Sequence, residues 1–456
     1  MANDKNLKIT FSSGADTVTG SNFLLEGNGK KFLIDCGLVQ GEKLADDMNW
    51  KEFPYSVSEI DILFITHAHI DHIGRIPKLI HEGFVGRIVS TIPTKDITVL
   101  MLADTAHLLS HNKDLGLDEI YSIENIEKAM DLWETIDYGQ VLNVDHGFQF
   151  SYKNSGHILG SGMLEIVYNG KKIVFTGDLG NSPSPLLPDT DIVDDADYLI
   201  MESVYGDRNH EDRGQRKNRL LQVMKENYAR GGVLLIPTFS LERSQELLYE
   251  IDSFYADKLL PRMPIFLDSP LAIKITSLYR KYQKYLNKEA LTEIKSGNDI
   301  FSFPGFEMTE ETNESKAILH TENPKVIMAG SGMSNGGRII HHEKNYLPDK
   351  NNTILLIGYQ SVGTLGRSIQ DGNKKLHIQG IEIPLRAKVE MISGYSGHKD
   401  SDHLVEFVGP TAKKVKKVFI AMGEPKAQMF LSQRLRDEYG VETYIPTAGE
   451  SVIIEC

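Results

Sequence analysis

The sequence IDILFITHAHIDH, at Ile60–His72, carries the strongest structural signal in this chain. Its apolar, β-branched first half predicts a short buried strand. His67 and His69 follow two residues apart, so their side chains project to the same side of an extended segment. Asp71 and His72 come where the chain is expected to turn into a helix. Three imidazoles and one carboxylate so close together are a suitable ligand set for Zn²⁺ or another borderline divalent metal.

Two further segments place a glycine-rich loop after a predicted strand, one around His157 (SGHILG) and one around Asp178 (FTGDLG). Taken singly, each is typical of a turn. Together with the histidine cluster they supply a fourth imidazole and a carboxylate whose two oxygens could bridge two metals. Asp35, in FLIDCG, ends another predicted strand. It is either a turn carboxylate or a group that orients a ligand histidine from behind.

Composition excludes several classes of protein. A chain of 456 residues is expected to form two or three domains. Its two cysteines exclude a disulfide scaffold and fit a reducing compartment, so a cytoplasmic location is expected. No apolar run approaches the roughly 20 residues of a membrane helix, so no membrane association is expected. The net charge of −14 argues, at face value, against a polyanionic partner.

The pattern changes after Tyr205. Short apolar strands are predicted at 233–239, 264–268, 325–332 and 353–358, separated by helical segments. This alternation predicts a parallel sheet with crossover connections. Earlier in the chain, residues 94–136 are rich in Leu, Met and Ala and are predicted to be helical.

The order His-X-His-X-Asp-His, with Asp35 before it and His157 and Asp178 after it, resembles the metallo-β-lactamase superfamily. ADYLIMESVYGDR (196–208), IPTFSLERSQELLYEI, GSGMSNGGRIIHH and SGYSGHKDSDHL resemble the β-CASP branch of that superfamily. The resemblance covers about residues 8–456. It implies an α/β fold, a four-layer αββα sandwich with an inserted α/β β-CASP domain built on a parallel sheet. The implied segments are 1–205 and 371–456 for the sandwich and 206–370 for the insertion.

The resemblance also implies a role for each site residue. The metal ligands would be His67, His69 and His157 for a first metal, Asp71 and His72 for a second, and Asp178 as the bridge, with Asp35 behind them. Asp71, His398 and Glu202 would be the catalytic residues. His398 would act as a general acid, and Glu202 would orient its imidazole and favour its charged form.

One position departs from the branch, which usually carries a histidine in the segment occupied here by Ile420–Pro425. Met422 stands in its place. A thioether is a soft ligand that suits zinc poorly. Two zinc ions are therefore expected, with the second held more weakly.

The implied activity is hydrolysis of single-stranded RNA by a two-metal-activated water, as an endonuclease, with additional 5′-exonuclease activity left open. Glycine-rich loops are more often plain turns, but in this context they are candidate phosphate contacts. The candidates are Ser331, Gly336, Gly337, Arg338, Arg367 and Arg243. Several of the acids lie in the motif segments, where bound metals would reverse the local charge, so the net charge of −14 does not describe the whole surface. A basic cleft between the domains, carrying Arg243, Arg338 and Arg367, is therefore expected.

Two alternatives stay open from the sequence. Met422 favours an RNA-binding scaffold with a degraded metal site. A small-molecule metallohydrolase, as in other branches of the superfamily, is the other alternative, and the inserted domain argues against it. RNA is the expected partner, and a homodimer is left open.

Overall fold

The structure is a computed structural model that describes residues 6–40, 48–109, 117–210, 213–361 and 363–456. The chain divides into two compact units. The first comprises Met1–Asn209 with Gly397–Cys456, and the second comprises His210–Ser396. None of the helices in the described ranges is long and apolar enough to cross a membrane.

The first unit contains two seven-stranded sheets. The first sheet is built from β1 (Leu7–Ser13), β2 (Asn22–Gly27), β3 (Lys30–Ile34), β4 (Ile62–Phe64), β5 (Arg87–Ser90), β6 (Trp133–Thr135) and β22 (Ser451–Ile454). The second is built from β7 (Leu142–Val144), β8 (Phe148–Asn154), β9 (Gly162–Tyr168), β10 (Lys171–Phe175), β11 (Tyr198–Met201), β20 (Lys417–Ile420) and β21 (Thr443–Tyr444). Their orders are β22-β1-β2-β3-β4-β5-β6 and β21-β20-β11-β10-β9-β8-β7, and both mix parallel and antiparallel pairs.

Alternation along the strands explains why the two sheets pack face to face. On β4, Phe64 points into a core shared by both sheets, while Leu63 points into a second core on the outer face. On β10, Phe175 enters the shared core and Val174 enters a third core on the other outer face. Because successive side chains of a strand point to opposite faces, each sheet is buried on both sides.

Helices cover the two outer faces. Those over the first sheet are α1 (Ile70–Ile73), α2 (Ile76–His81), α3 (Ile92–Leu109), α4 (Leu117–Ile120) and α5 (Ile123–Asp131). Those over the second sheet are α13 (Ser401–Val408) and α14 (Pro425–Tyr439). The predicted four-layer αββα sandwich is confirmed.

The second unit is built on a six-stranded sheet in which every pair is parallel. Its order is β14-β13-β15-β12-β16-β19, and a separate hairpin joins β17 to β18. The strands are β12 (Val233–Pro237), β13 (Ile265–Asp268), β14 (Phe306–Met308), β15 (Lys325–Ala329), β16 (Thr353–Ile357), β17 (Lys375–Ile378), β18 (Ile381–Pro384) and β19 (Lys388–Ile392). The helices are α6 (Arg216–Arg230), α7 (Arg243–Ala256), α8 (Pro270–Lys281), α9 (Lys288–Lys295), α10 (Thr312–Ala317), α11 (Ile339–Tyr346) and α12 (Leu365–Gln370). The predicted parallel sheet is confirmed.

The unit boundaries differ from those expected from the sequence. The first unit ends at Asn209 rather than at 205, and it resumes at Gly397 rather than at 371. The larger difference has a simple cause, because β19 pairs in parallel with β16 and so belongs to the sheet of the second unit. Of the segment 94–136, residues 110–116 lie outside the described part of the chain. The end of the segment departs from the helical prediction, because β6 joins the first sheet beside β5.

Candidate metal centre

Residues 66–72 follow β4 and are held by main-chain contacts. The amide of Cys36 donates to the carbonyl of His72 over 2.8 Å. Gly37 packs directly against this segment, since a Cβ atom at Gly37 would lie 1.5 Å from the Asp71 carbonyl oxygen. Two backbones approach too closely there for any side chain. The segment therefore has little freedom to move its histidines.

Four side chains converge beside this segment: His67, His69, His157 and Asp178. Nδ1 of His69 lies 3.1 Å from Nε2 of His67 and 3.1 Å from Nε2 of His157. Oδ2 of Asp178 lies 3.4 Å from each of the same two Nε2 atoms. Ligands held tetrahedrally at about 2.0–2.1 Å from zinc are separated from one another by about 3.3 Å. The observed spacing of these donors fits a tetrahedral zinc site.

A second donor set shares Asp178. Nε2 of His72 faces Oδ1 of Asp178 from 3.3 Å, and Oδ2 of Asp71 lies 3.9 Å from the same nitrogen. Nε2 of His72 and Oδ1 of Asp178 are both buried, and among the described residues neither has a hydrogen-bond partner. Buried polar atoms without partners cost stability. A cation held by both atoms would remove that cost, so these donors fit a second metal.

Contacts behind the ligands fix the orientation of two imidazoles. Nδ1 of His72 lies 2.7 Å from Oδ2 of Asp35, and Nδ1 of His157 lies 3.0 Å from the Gly397 carbonyl oxygen. A carbonyl oxygen and a carboxylate oxygen only accept, so both Nδ1 atoms carry the proton and Nε2 is left as the ligand atom. Asp35 is itself held by the Thr66 amide, which donates to Oδ1 over 2.8 Å.

The electrostatics of the centre suit a bound cation. Burial and neighbouring imidazoles lower the pKa of His69 and of His157 well below the usual value, so both rings are neutral ligands. Burial disfavours a charged Asp178, but the imidazole of His72 outweighs it and holds the carboxyl pKa well below its usual range. Against the effect of burial, the carboxylates of Asp178 and Asp35 raise the pKa of His72 well above its usual value. Positive charge is therefore favoured at the second donor set.

His398 and Glu202 meet next to the metal ligands, although 196 positions separate them in sequence. Nδ1 of His398 lies 3.1 Å from Oε1 of Glu202, which also accepts from the Leu179 amide over 2.7 Å. The Glu202 side chain is fully buried, whereas 23% of the His398 side chain is exposed. Burial opposes the charged imidazole, but the carboxylates of Glu202 and Asp178 raise the pKa of His398 to about 9. The charged form of the His398 imidazole is therefore favoured in the metal-free protein, and part of the ring is open to solvent.

Met422 occupies the position where the family resemblance expects a histidine. It is almost completely buried, and its amide donates to the Gly14 carbonyl over 2.9 Å. Its sulfur packs so closely on Gly14 that a Cβ atom there would lie 2.7 Å away. The side chain also lines a small cavity together with Asp35, Thr66 and Glu202. A thioether thus lines the cavity that Asp35 also borders.

The candidate phosphate contacts all lie in the second unit: Ser331, Gly336, Gly337, Arg338, Arg243 and Arg367. Each arginine pairs with a nearby carboxylate: Arg338 with Asp268 over 2.7 Å, Arg367 with Asp371 over 2.9 Å, and Arg243 with Glu246. The positive charge of all three is therefore partly offset. Their part in substrate binding, and the basic cleft, stay predictions.

Sequence reasoning missed the residues that hold the ligand loops in place. Thr66 binds the Asp35 carboxylate through its amide and through its hydroxyl group. Gly180 packs against the loop that carries His157, since a Cβ atom at Gly180 would lie 1.8 Å from the Gly156 carbonyl oxygen. The only sequence signal for both residues is their position immediately beside a ligand segment.

Comparison with known proteins matches three domain families along the chain. Residues 24–203 match the metallo-β-lactamase superfamily domain, residues 244–369 match the β-CASP domain, and residues 382–446 match the Zn-dependent metallo-hydrolase RNA specificity domain. A solved structure described as a protein of unknown function from Enterococcus faecalis shares the fold with a TM-score of 0.60, at 12% identity over 98% of this chain and 100% of that chain.

Two curated relatives match over nearly the whole chain. Ribonuclease TTHA0252 of Thermus thermophilus is 34% identical, over 98% of this chain and 100% of that protein. Transcription termination factor FttA of Methanocaldococcus jannaschii is 30% identical, over 98% of this chain and 72% of that protein. The chain carries the histidine and aspartate donor sets that a zinc-dependent hydrolase of this kind needs. It belongs to the β-CASP metallo-hydrolases of the metallo-β-lactamase superfamily.

Proposed function

We propose that this protein is a two-zinc ribonuclease that hydrolyses phosphodiester bonds of single-stranded RNA, as an endonuclease and also as a 5′-exonuclease. The observation that carries the proposal is the position of Asp178. Its Oδ2 faces the first donor set at 3.4 Å, and its Oδ1 faces His72 at 3.3 Å. One carboxylate with a donor set on each oxygen suits two metals side by side, the arrangement that serves phosphodiester cleavage.

The substrate class is supported by the relatives. One relative is named a ribonuclease, and residues 382–446 match a domain family described by its RNA specificity. In this proposal, the residues that contact RNA phosphates are Ser331, Gly336, Gly337, Arg338, Arg367 and Arg243. RNA is then the partner of this protein, and a homodimer stays a prediction.

The ligands divide between the two zinc ions. His67, His69, His157 and Asp178 would hold the first, and Asp71, His72 and Asp178 would hold the second. When bound, the two ions supply a water that is ionised near neutral pH and neutralise charge on the phosphate. Asp71 would thus take part in catalysis through its place in the second donor set, where its Oδ2 lies 3.9 Å from Nε2 of His72.

The leaving oxygen needs a proton, and His398 is the group that supplies it. Glu202 accepts from Nδ1 of His398, which fixes the ring and leaves Nε2–H as the proton donor. The partial exposure of His398 lets a substrate oxygen reach the ring. A protonated, oriented imidazole beside the ligand set is the arrangement of a general acid.

The test uses circular single-stranded RNA incubated with zinc-loaded protein, with and without a chelator. A circle has no ends, so a linear product demonstrates endonuclease action. The His69→Ala variant is expected to lose cleavage, because His69 contributes Nδ1 to the first donor set. Equal cleavage by this variant would contradict the proposal. A 5′-labelled linear RNA then reports exonuclease action through release of labelled mononucleotide.

An RNA-binding scaffold is the second candidate, and Met422 is the observation that favours it. Metal content separates the two candidates. Two tightly held zinc ions per chain support the ribonuclease, whereas one or none, together with RNA binding that lacks cleavage, supports the scaffold. The third alternative, a small-molecule hydrolase, would be revived by thioester hydrolysis in a protein that leaves RNA intact.

A further inference from the structure

Phe239 lies two residues after the end of β12, and its side chain is both partly exposed and packed against a neighbouring glycine. Its side chain is 39% exposed. Its ring lies on the backbone of Gly332, where a Cβ atom would come within 2.6 Å of Cδ2 and 2.7 Å of Cε2 of the ring. Its main-chain carbonyl accepts from the Ser244 hydroxyl over 2.7 Å. One face of the ring thus packs on the Gly332 backbone, while part of the side chain is accessible to solvent.

The backbone φ angle of Gly332, the residue that the Phe239 ring packs on, does not require glycine. Gly332 is not among the glycines with positive φ, so other residues could adopt its backbone conformation. Space is what excludes them, because any side chain at 332 would displace the Phe239 ring. The ring stays partly in water, so burial of apolar surface explains only part of this arrangement. Glycine at 332 therefore leaves room for the partly exposed Phe239 ring to lie against the backbone.

The surroundings of Phe239 indicate what that ring meets. β12 pairs in parallel with β15, with Pro237 opposite Ala329, so Phe239 and the Ser331–Arg338 loop leave the sheet at the same edge. The Gln360 side chain donates to the Gly332 carbonyl over 3.1 Å and fixes the loop under the ring.

A second exposed aromatic side chain lies at this edge. Tyr359 is 46% exposed and follows β16, the other neighbour of β12. Two aromatic side chains therefore leave the edge of the sheet next to a glycine-rich loop. Exposed aromatic rings commonly bind single strands, because every nucleobase offers a face for stacking.

We propose that Phe239 is a stacking platform for a nucleobase of the single-stranded RNA substrate, and that Tyr359 carries a neighbouring base. The inference rests on the proposed function, since the occupant is a base of the RNA that the enzyme cleaves. It adds a contact with the bases to the phosphate contacts predicted for the glycine-rich loop. Stacking tolerates all four bases, so the contact favours single strands over duplexes without selecting a sequence.

The experiment measures binding of a fluorescein-labelled single-stranded oligoribonucleotide by anisotropy, with metal-free protein, so that cleavage does not interfere. Phe239→Ala is expected to weaken binding roughly 10-fold to 100-fold, whereas Phe239→Trp keeps or strengthens it. Phe430→Ala, at a phenylalanine that is 49% exposed in the first unit, is the matched control and should bind as the unaltered protein does. Unchanged affinity of Phe239→Ala would overturn the inference.

A ligand-side test does not depend on how any variant folds. The unaltered protein is titrated with RNAs that each lack one base, and one of these abasic RNAs should bind as weakly as intact RNA binds to Phe239→Ala. That same abasic RNA should show no further loss with Phe239→Ala, because the stacked base is already gone. Additive losses for every abasic position would overturn the inference. Failure to cleave RNA with zinc bound would instead count against the proposed function, whatever the binding shows.

Discussion

The imidazole of His72 donates through Nδ1 to Oδ2 of Asp35 over 2.7 Å, and this bond fixes the role of the opposite ring nitrogen. Nε2 of His72 is left facing Oδ1 of Asp178. Asp35 therefore orients a ligand of the second donor set without supplying a ligand atom itself. It is held in turn by the amide and hydroxyl groups of Thr66 and by the Ser21 hydroxyl.

Asp35→Asn is expected to weaken the second zinc by about 10-fold to 100-fold, because an amide orients His72 less well than a carboxylate. The first zinc should be unaffected. Competition against a chromophoric chelator measures both affinities. Asp61→Asn is the matched control, since Asp61 also accepts from a main-chain amide but at the opposite end of β4. Unchanged affinity for both ions in Asp35→Asn would show that the bond to His72 does not tune the site.

His398→Ala is expected to slow RNA cleavage by about 10²-fold to 10⁴-fold with zinc content unchanged, because a general acid is lost. The loss should shrink on a phosphodiester with a 4-nitrophenolate leaving group, which departs without a proton. The cleavage rate of Glu202→Gln should lie between those of the unaltered protein and His398→Ala. This variant keeps the size of the side chain but loses the negative charge that holds the imidazole. Equal losses on both substrates would argue that His398 has another role.

Met422→His is expected to raise occupancy of the second zinc. The backbone at Met422 has a φ of 46°, a region where histidine is more common than most residues, so the substitution suits the local conformation. Metal analysis after titration gives the stoichiometry. Met422→Leu keeps an apolar side chain and should leave occupancy as it is. If occupancy in Met422→His matches that of the unaltered protein, the thioether is not what weakens the site.

Asp268 links pH to the stability of the second unit. Burial raises its carboxyl pKa, but hydrogen bonds from His342, Ser315 and Arg338 outweigh burial and lower that pKa to about 2. The ionised form is favoured in the folded state, so this stabilisation is fully present above about pH 4. It is lost as pH falls from there towards 2.

Asp268→Asn should therefore lower the free energy of unfolding by about 2–4 kcal/mol at neutral pH. The difference from the unaltered protein should narrow as pH falls from about 4 towards 2. Urea unfolding followed by circular dichroism at several pH values measures it. A difference that stays constant over this range would mean that the charge of Asp268 is not what stabilises the unit.

Much of the fold could be predicted from the sequence because short apolar strands and glycine-rich turns are local signals. The strand that precedes His67 and the parallel sheet of the second unit are of this kind. The strand that closes the second unit's sheet could not be assigned from the sequence, because nothing local to Lys388–Ile392 reveals which sheet it joins. Pairing with β16 decides that, and pairing is a long-range contact.

The candidate site divides in the same way. The histidines at 67, 69 and 72 lie so close together in sequence that their spacing alone predicts a metal. Glu202 and His398 could be paired only through the family resemblance, since 196 positions separate them. The close approach of Gly37 to the Asp71 carbonyl could not be predicted, because it depends on how two loops meet in three dimensions.

Zinc titration of metal-free protein, with cleavage of single-stranded RNA followed in parallel, tests the two-metal account most directly. Cleavage should be absent without metal, should rise as the second equivalent binds, and should stay absent in His69→Ala at every zinc concentration. RNA cleavage that persists in metal-free protein, or that is equal in His69→Ala, would contradict the account.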